Sequence, residues 1–319
     1  EMLARGVAIT RKALPGLSRA WMSTIPSIKN VTVIGGGLMG NGIVQVTAAA
    51  GYNVTMVDIS DELLAKSTAS IQKTVKKGFA KAVEKGKMEA GAAESEEAAI
   101  MSRLTQTTSA TDAVKAADLV IEAVPENLGL KQKLFADLDK AAPASTIFTS
   151  NTSSLPIADI ASTSARGDKF GGLHFFNPVP AMKLLEVVRG PNTSAETFDT
   201  LLAWGKSIGK YTVSCKDTPG FIVNRLLVPD MFEAIRMLER GDASMEDIDA
   251  AMMYGAGRPM GPFKLADMVG LDTCKSIVDG WHKRFPDNPL FKPTETLDRL
   301  NKEGKLGMKT GEGFYNYKK

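Results

Sequence analysis

The sequence predicts an α/β unit built on a mostly parallel sheet, followed by an all-α unit. Three observations carry this. A β-branched stretch at residues 30–34 (NVTVI) runs straight into a glycine-rich turn and then a helical run. Short apolar strands then alternate with helical stretches as far as residue 216, the pattern of βαβ units. Beyond residues 216–220 only helical signals recur.

The first turn is Gly35-Gly36-Gly37-Leu38-Met39-Gly40, a GxGxxG at Gly35, Gly37 and Gly40. Gly35 permits the tight turn, and Gly37 lets the backbone approach a pyrophosphate whose charge sits at the helix N-terminus. Gly40 allows helix to pack closely on strand. A helix over 41–50 stops at Gly51, and a strand over 54–57 ends in Asp58. An acid there holds a ribose diol and repels a 2′-phosphate, and no arginine follows it, so the pattern favours NAD over NADP. Strand, glycine turn, helix, strand and acid in this order make the sheet Rossmann-like.

Residues 61–85 form one helical stretch and 94–102 another, which predicts a helical hairpin projecting from the sheet. The longer helix has a basic side: Lys66, Lys73, Lys76, Lys77, Lys81 and Lys85. Thr74, Lys77 and Lys81 share a face by their spacing. Both a solvated face and a clamp for the phosphates of a large anionic substrate fit that pattern.

Alternation resumes with a strand at 104–107, a helix at 110–116 and an apolar strand at 118–124 (DLVIEAV), typical of a buried parallel sheet. A helix to about residue 142 carries Lys131, and a strand at 146–150 precedes Asn151-Thr152-Ser153-Ser154. Ligands in such sheets sit beyond the carboxyl ends of the strands, which puts Glu126, Ser153 and Ser154 at the right end to line a site.

His174 is one of two histidines in the chain, and twelve positions later Glu186 is the one carboxylate in an apolar run, KLLEVV. Residues 169–173 and 184–188 read as strands, and Asn177-Pro178-Val179-Pro180 forces a turn between them. That arrangement can set His174 beside Glu186. A carboxylate that accepts the proton of one imidazole nitrogen leaves the other able to act as a base. A buried histidine satisfied at a strand end is the competing reading. A helix at 195–208 and a strand at 211–214 complete the α/β unit.

In the helical unit, Asp217 or Thr218 is expected to cap a first helix over 221–240, with Pro219 in its opening turn. Gly241 stops it, Ser244-x-x-Asp247 opens a helix ended by Gly255, and Gly261-Pro262 opens another. Helices at 272–284 and 295–303 precede a glycine-rich tail. Apolar residues at helical spacing are mostly core, but a small helical unit with this much apolar surface often dimerises. His282, in a basic run, reads as structural.

Composition excludes other classes. With 44% apolar and 24% charged residues the chain is an ordinary globular protein, and a net charge of +3 is too small to argue for nucleic acid. No apolar run is long enough to span a membrane. Cys215 and Cys274 make no disulfide framework and suggest a reducing compartment. Two well-separated histidines argue against a transition-metal site. Residues 1–27 carry Arg5, Arg11, Lys12 and Arg19 with Glu1 as the only acid, the composition of a mitochondrial presequence, with a disordered basic tail as the alternative.

The motifs VIGGGLMG, SNTSSL, GLHFFNPVPAMKLLEV, DTPGFIVNRLL, GAGRPMGPFKLAD and KTGEGFY, in that order, resemble those of the short-chain L-3-hydroxyacyl-CoA dehydrogenases of mitochondrial fatty-acid β-oxidation, over residues 28–319. The resemblance implies His174 as general base, Glu186 as its orienting partner, and Ser153 and Asn224 at the reacting end of the acyl group. It implies Gly35, Gly36, Gly37, Leu38, Met39, Gly40, Asp58, Glu126, Lys131, Asn177 and Lys309 at NAD. It implies Lys81 and Thr74 at the CoA moiety, where a serine is usual at the second position. It further implies no metal, a homodimer formed through the helical domain, and a mitochondrial-matrix location. The expected domains are a presequence (1–27), an NAD-binding domain (28–216) and a helical dimerisation domain (217–319). Rival readings are a related sugar-acid (gulonate-type) or 3-hydroxybutyryl-CoA dehydrogenase, and a non-catalytic NAD-binding structural protein.

Overall fold

A computed structural model describes residues 28–318, so the expected presequence lies outside the described residues. The chain divides into two compact units, one up to Thr218 and one from Pro219.

The first unit is organised by one eight-stranded sheet. Its strands are β1 (Asn30–Ile34), β2 (Asn53–Val57), β3 (Leu104–Thr107), β4 (Leu119–Glu122), β5 (Ile147–Ser150), β6 (Phe170–Phe175), β7 (Leu184–Arg189) and β8 (Tyr211–Lys216). They lie in the order β3-β2-β1-β4-β5-β6-β7-β8. The first six run parallel. β7 runs antiparallel to β6, and β8 parallel to β7. β4 and β5 are buried along their whole length, β4 as an apolar run up to Glu122 and β5 with the Thr149 and Ser150 hydroxyls donating to the Val120 carbonyl and the Glu122 carboxylate.

Helices cover the sheet. α1 (Leu38–Ala49) follows the glycine turn and buries Ile43, Val44 and Ala48 in the core with Val31, Val33, Leu119 and Ile121. α2 (Asp61–Glu84) starts where the Ser60 hydroxyl accepts a hydrogen bond from the Leu63 amide. It buries Leu64, Ile71, Val75 and Phe79 along one stripe. At 1.5 Å per residue it spans about 36 Å. α3 (Ala90–Ser102) packs against it and begins ahead of the expected residue 94. α4 (Ala110–Ala113) is shorter than expected. α5 (Leu128–Ala141) places Phe135 edge-on to Phe170, with ring centroids 4.6 Å apart. α6 (Ile157–Ala161) and α7 (Ala195–Ser207) complete the unit.

Two readings are corrected. β6 does not stop before His174 but carries it inside the strand, because a cross-strand partner satisfies the buried ring. Asp217 does not cap the helix that follows it. Its carboxylate accepts from the Ile157 and Ala158 amides, at 2.9 and 2.8 Å, and so caps α6. The chain then turns through Gly220 and Phe221, both at positive φ, and α8 begins at Val223.

The second unit holds α8 (Val223–Arg240), α9 (Met245–Tyr254), α10 (Pro262–Val269), α11 (Leu271–Arg284) and α12 (Glu295–Lys302). Val228, Met231, Phe232, Ala266, Val278 and Trp281 are among the residues of its core. Gly241 ends α8 in the left-handed conformation, and the Ser244 hydroxyl caps α9 by accepting from the Asp247 amide. Two buried aspartates fix the tail. Asp267 accepts from the Phe314 and Tyr315 amides and the Tyr317 hydroxyl, each at 2.9 Å. Asp249 accepts from the Phe263 amide and the Tyr315 hydroxyl, also at 2.9 Å.

Candidate active site

β6 and β7 put His174 directly opposite Glu186 in an antiparallel ladder. Their side chains meet, His174 Nδ1 lying 2.7 Å from Glu186 Oε2, with Glu186 fully buried and His174 nearly so. A carboxylate only accepts, so Nδ1 is the donor and Nε2 is the nitrogen able to take a proton. The ring lies 4.5 Å from that of Phe176, tilted by 51°. Neighbouring bonds hold the strand and the turn after it. Asn151 Oδ1 accepts from the Phe175 amide at 2.9 Å. The Lys210 ammonium donates to the Val179 carbonyl and, at 2.7 Å, to that of Met182, inside the loop that follows Asn177. Burial lowers the Lys210 pKa from 10.5 to about 8.

The glycine turn has the shape a dinucleotide needs. Gly35 sits at φ 101, and a Cβ there would lie 2.6 Å from the Ala123 carbonyl oxygen. A Cβ on Gly40 would lie 1.7 Å from the Gly35 carbonyl oxygen, so the close approach is to the turn itself. A Cβ on Gly37 would meet nothing within 4 Å. Gly37 caps α1 with no side-chain bond, and α1 has no acid in its first turn, so its amides face open space that suits a phosphate. Asp58 is aimed by two amides: Oδ2 accepts from Gly36 at 2.8 Å and Oδ1 from Ile59 at 2.7 Å. A carboxylate has lone pairs to spare for a ribose diol. These residues fit NAD.

At the carboxyl ends of β4 and β5, Glu126 Oε1 accepts from the Thr152 hydroxyl at 2.5 Å and the Ser154 hydroxyl at 2.9 Å. The amides of Ser153 and Ser154 reach the same oxygen at 3.1 Å. Burial pushes the Glu126 pKa up, but Lys131 and these hydrogen bonds outweigh it and leave it below its ordinary value. Lys131 is buried between Glu126 and Glu122. Desolvation raises the Glu122 pKa against the pull of Lys131. Glu122, Ser150, Asn151 and Thr152 were not among the residues expected from the sequence. The available signal was Glu122 itself, the one acid in the strand LVIE.

Thr74, Lys77 and Lys81 are exposed on α2, away from its buried stripe. The Thr74 hydroxyl donates to the Ser70 carbonyl at 2.9 Å and keeps an acceptor for a ligand. Asn177 is exposed in the turn after β6. Asn224 lies in the first turn of α8 and Lys309 in the tail, both in the second unit. Lys309 Nζ stands 2.6 Å from each carboxylate oxygen of Asp272.

A dinucleotide-type turn and a buried imidazole–carboxylate pair on one sheet describe a nicotinamide-dependent dehydrogenase. Comparison with known proteins is more specific. Residues 30–218 match the family model described as 3-hydroxyacyl-CoA dehydrogenase, NAD binding domain. Residues 220–317 match 3-hydroxyacyl-CoA dehydrogenase, C-terminal domain. Rat mitochondrial hydroxyacyl-coenzyme A dehydrogenase is 56% identical over 91% of this chain and 92% of its own length. A probable 3-hydroxyacyl-CoA dehydrogenase of Caenorhabditis elegans is 54% identical over 96% of this chain and 97% of its own. The crystal structure of (S)-3-hydroxybutyryl-CoA dehydrogenase from Ralstonia eutropha superposes with a TM-score of 0.85 at 41% identity, covering 92% of this chain and all of that one. The chain therefore belongs to the 3-hydroxyacyl-CoA dehydrogenase family, whose first domain binds NAD, and is an oxidoreductase.

Proposed function

We propose that this chain oxidises the 3-hydroxyl of L-3-hydroxyacyl-CoA with His174 as general base and Glu186 as its orienting partner. The 2.7 Å contact between His174 Nδ1 and the buried Glu186 carboxylate carries the reading. It fixes one tautomer, so Nε2 takes the hydroxyl proton, while Glu186 balances the imidazolium that forms. The residues that hold NAD would present a hydride acceptor to C3, which is the chemistry the cofactor would supply. Ser153 and Asn224 supply hydrogen bonds to the oxygen as it becomes a carbonyl. The turn from Gly35 to Gly40, Asp58, Glu126, Lys131, Asn177 and Lys309 hold the cofactor. Thr74, Lys77 and Lys81 hold the CoA phosphates, a role their exposure on one helix face supports.

The partner is a second copy of the chain. In the helical unit Leu226 is 70% exposed, Tyr254 86% and Met268 53%, an apolar surface that a homodimer would cover. The protein is mitochondrial, as its mammalian relatives are named, with residues 1–27 as the presequence and the matrix as destination. No described helix is long and apolar enough to cross a membrane.

The test is turnover of acetoacetyl-CoA and longer 3-ketoacyl-CoAs with NADH or NADPH. Turnover with NADH well ahead of NADPH is expected. Equal use of both would sink the role of Asp58, and a preference for a sugar acid would favour the rival reading. Lys81→Ala should raise KM for the acyl-CoA and leave NADH affinity alone. An equal loss on a substrate lacking the nucleotide would make this a merely solvated face.

A further inference from the structure

The charge cluster under the carboxyl ends of β4 and β5 reaches deeper than the residues that meet ligands. Glu122, the last residue of β4, is fully buried, and Lys131 on α5 is 1% exposed. Lys131 Nζ lies 2.7 Å from Glu122 Oε1, 3.2 Å from Glu126 Oε2 and 3.4 Å from the Val124 carbonyl. Three oxygens thus set the direction of an ammonium that has three hydrogens to give. Glu122 is itself pinned, accepting from the Val124 amide at 2.7 Å and the Ser150 hydroxyl at 2.5 Å. From Glu126 the bonds continue to the amides of Ser153 and Ser154. An unbroken series of charge-assisted bonds runs from inside the sheet to the backbone of Ser153.

Stability alone does not call for such a cluster. Desolvating two ions offsets most of their attraction, and an apolar pair of equal volume often serves as well. What the ions add is direction: the Lys131–Glu122 bond is short at 2.7 Å, and both of its ends are held by further bonds. We propose that Glu122 is a positioning residue, whose carboxylate sets Lys131 and, through Lys131 and Glu126, the backbone of Ser153. The inference rests on the reading above that Lys131, Glu126 and Ser153 line the cofactor and the reacting end of the acyl group. It adds a residue that touches neither ligand yet governs the geometry of both contacts.

Glu122→Gln tests this, since it keeps the shape and removes the charge that orients Lys131. Thermal unfolding, NADH affinity and kcat are measured on the full-length protein, alongside Lys131→Met and the double variant Glu122→Gln/Lys131→Met. In the folded Glu122→Gln protein, NADH affinity and kcat should fall by about ten- to a hundredfold combined, the scale of misplacing a reacting group by about 1 Å. The double variant should be no worse than Lys131→Met, because Glu122 acts through that lysine. Wild-type kinetics in folded Glu122→Gln would overturn the inference, and so would fully additive losses. Lys131→Met with wild-type kinetics would instead sink the reading of Lys131 as a cofactor residue, and the single variant shows that separately. If Glu122→Gln does not fold, Ser150→Ala, which removes one bond to Glu122, decides. Weakened NADH binding and slower turnover support the inference, and unchanged kinetics overturn it.

Discussion

The two units bury their acids in opposite company. In the sheet, Glu186 faces an imidazole and Glu122 an ammonium, each at 2.7 Å. In the helical unit, Asp249 and Asp267 are equally buried, but they accept from backbone amides and tyrosine hydroxyls. An amide or a tyrosine hydroxyl takes up no proton and carries no charge at neutral pH, so these bonds serve to fix the tail in place. Desolvation first, then these bonds, push the Tyr315 and Tyr317 pKa values well above their ordinary range, which keeps both hydroxyls as donors. A partner that can take up a proton lets the acid share in chemistry, and an ammonium held by several oxygens lets it set direction. Replacing acids in the first region should therefore change rates, and in the second it should change stability.

The largest stability effect expected is at Asp267. Asp267→Ala leaves two amides and a hydroxyl without their acceptor, and at about 1–3 kcal/mol for each unmade bond the helical unit should lose about 3–5 kcal/mol in urea unfolding. A loss under about 1 kcal/mol would break the comparison. Glycines extend it. A Cβ on Gly313 would lie 2.0 Å from Asp267 Oδ1, so Gly313→Ala should destabilise by about 1–3 kcal/mol. Gly37→Ala has open space and should leave stability alone while weakening NADH binding, because its methyl group enters the space proposed for the pyrophosphate. The reverse pattern would count against both assignments.

Lys210 gives a pH signature. Its folded pKa, about 8, lies below the ordinary 10.5, so within that window the unfolded chain holds a proton that the folded one has released. Stability rises with pH wherever the unfolded state binds more protons, so this contribution should grow from about pH 8 to 10.5. Lys210→Met should flatten that rise, and identical slopes in the two proteins would contradict it. The smallest effect is at Cys215. Burial first, then the charges of Glu186 and Asp217, push its thiol up to about 12. Alkylation at pH 8 should be slow, and Glu186→Gln should speed it modestly. No change in rate would mean that the Glu186 charge does not reach Cys215.

How much of this was legible depends on how local each cause is. The glycine turn, Asp58 and the hairpin of α2 and α3 are local patterns, and the described structure contains them, with α1 and α3 starting at Leu38 and Ala90, ahead of the expected residues 41 and 94. The meeting of His174 and Glu186 was readable because one turn joins their strands. The cluster at Glu122 is less legible, although LVIE and LLEVV carry the same signal, one acid in an apolar strand. Its side-chain partners come from α5 and from Ser150 at the end of β5, and no short-range rule pairs them. Asp217 misled for the same reason. It looks like a cap for the helix that follows, yet it caps α6, some sixty residues earlier in the chain. Asp249 and Asp267 carry no local sign of the tail they hold.

The central claim is that His174 and Glu186 act as one base. The direct measurement is kcat for acetoacetyl-CoA reduction in His174→Gln, Glu186→Gln and the double variant, with NADH and acyl-CoA binding measured on each. General acid–base catalysis contributes roughly 10²–10⁴-fold, so His174→Gln should lose about that factor while both ligands still bind. Glu186→Gln should lose part of it, and the double variant should be little worse than His174→Gln. A fully active His174→Gln, or losses that multiply as if the two residues were independent, would contradict the account.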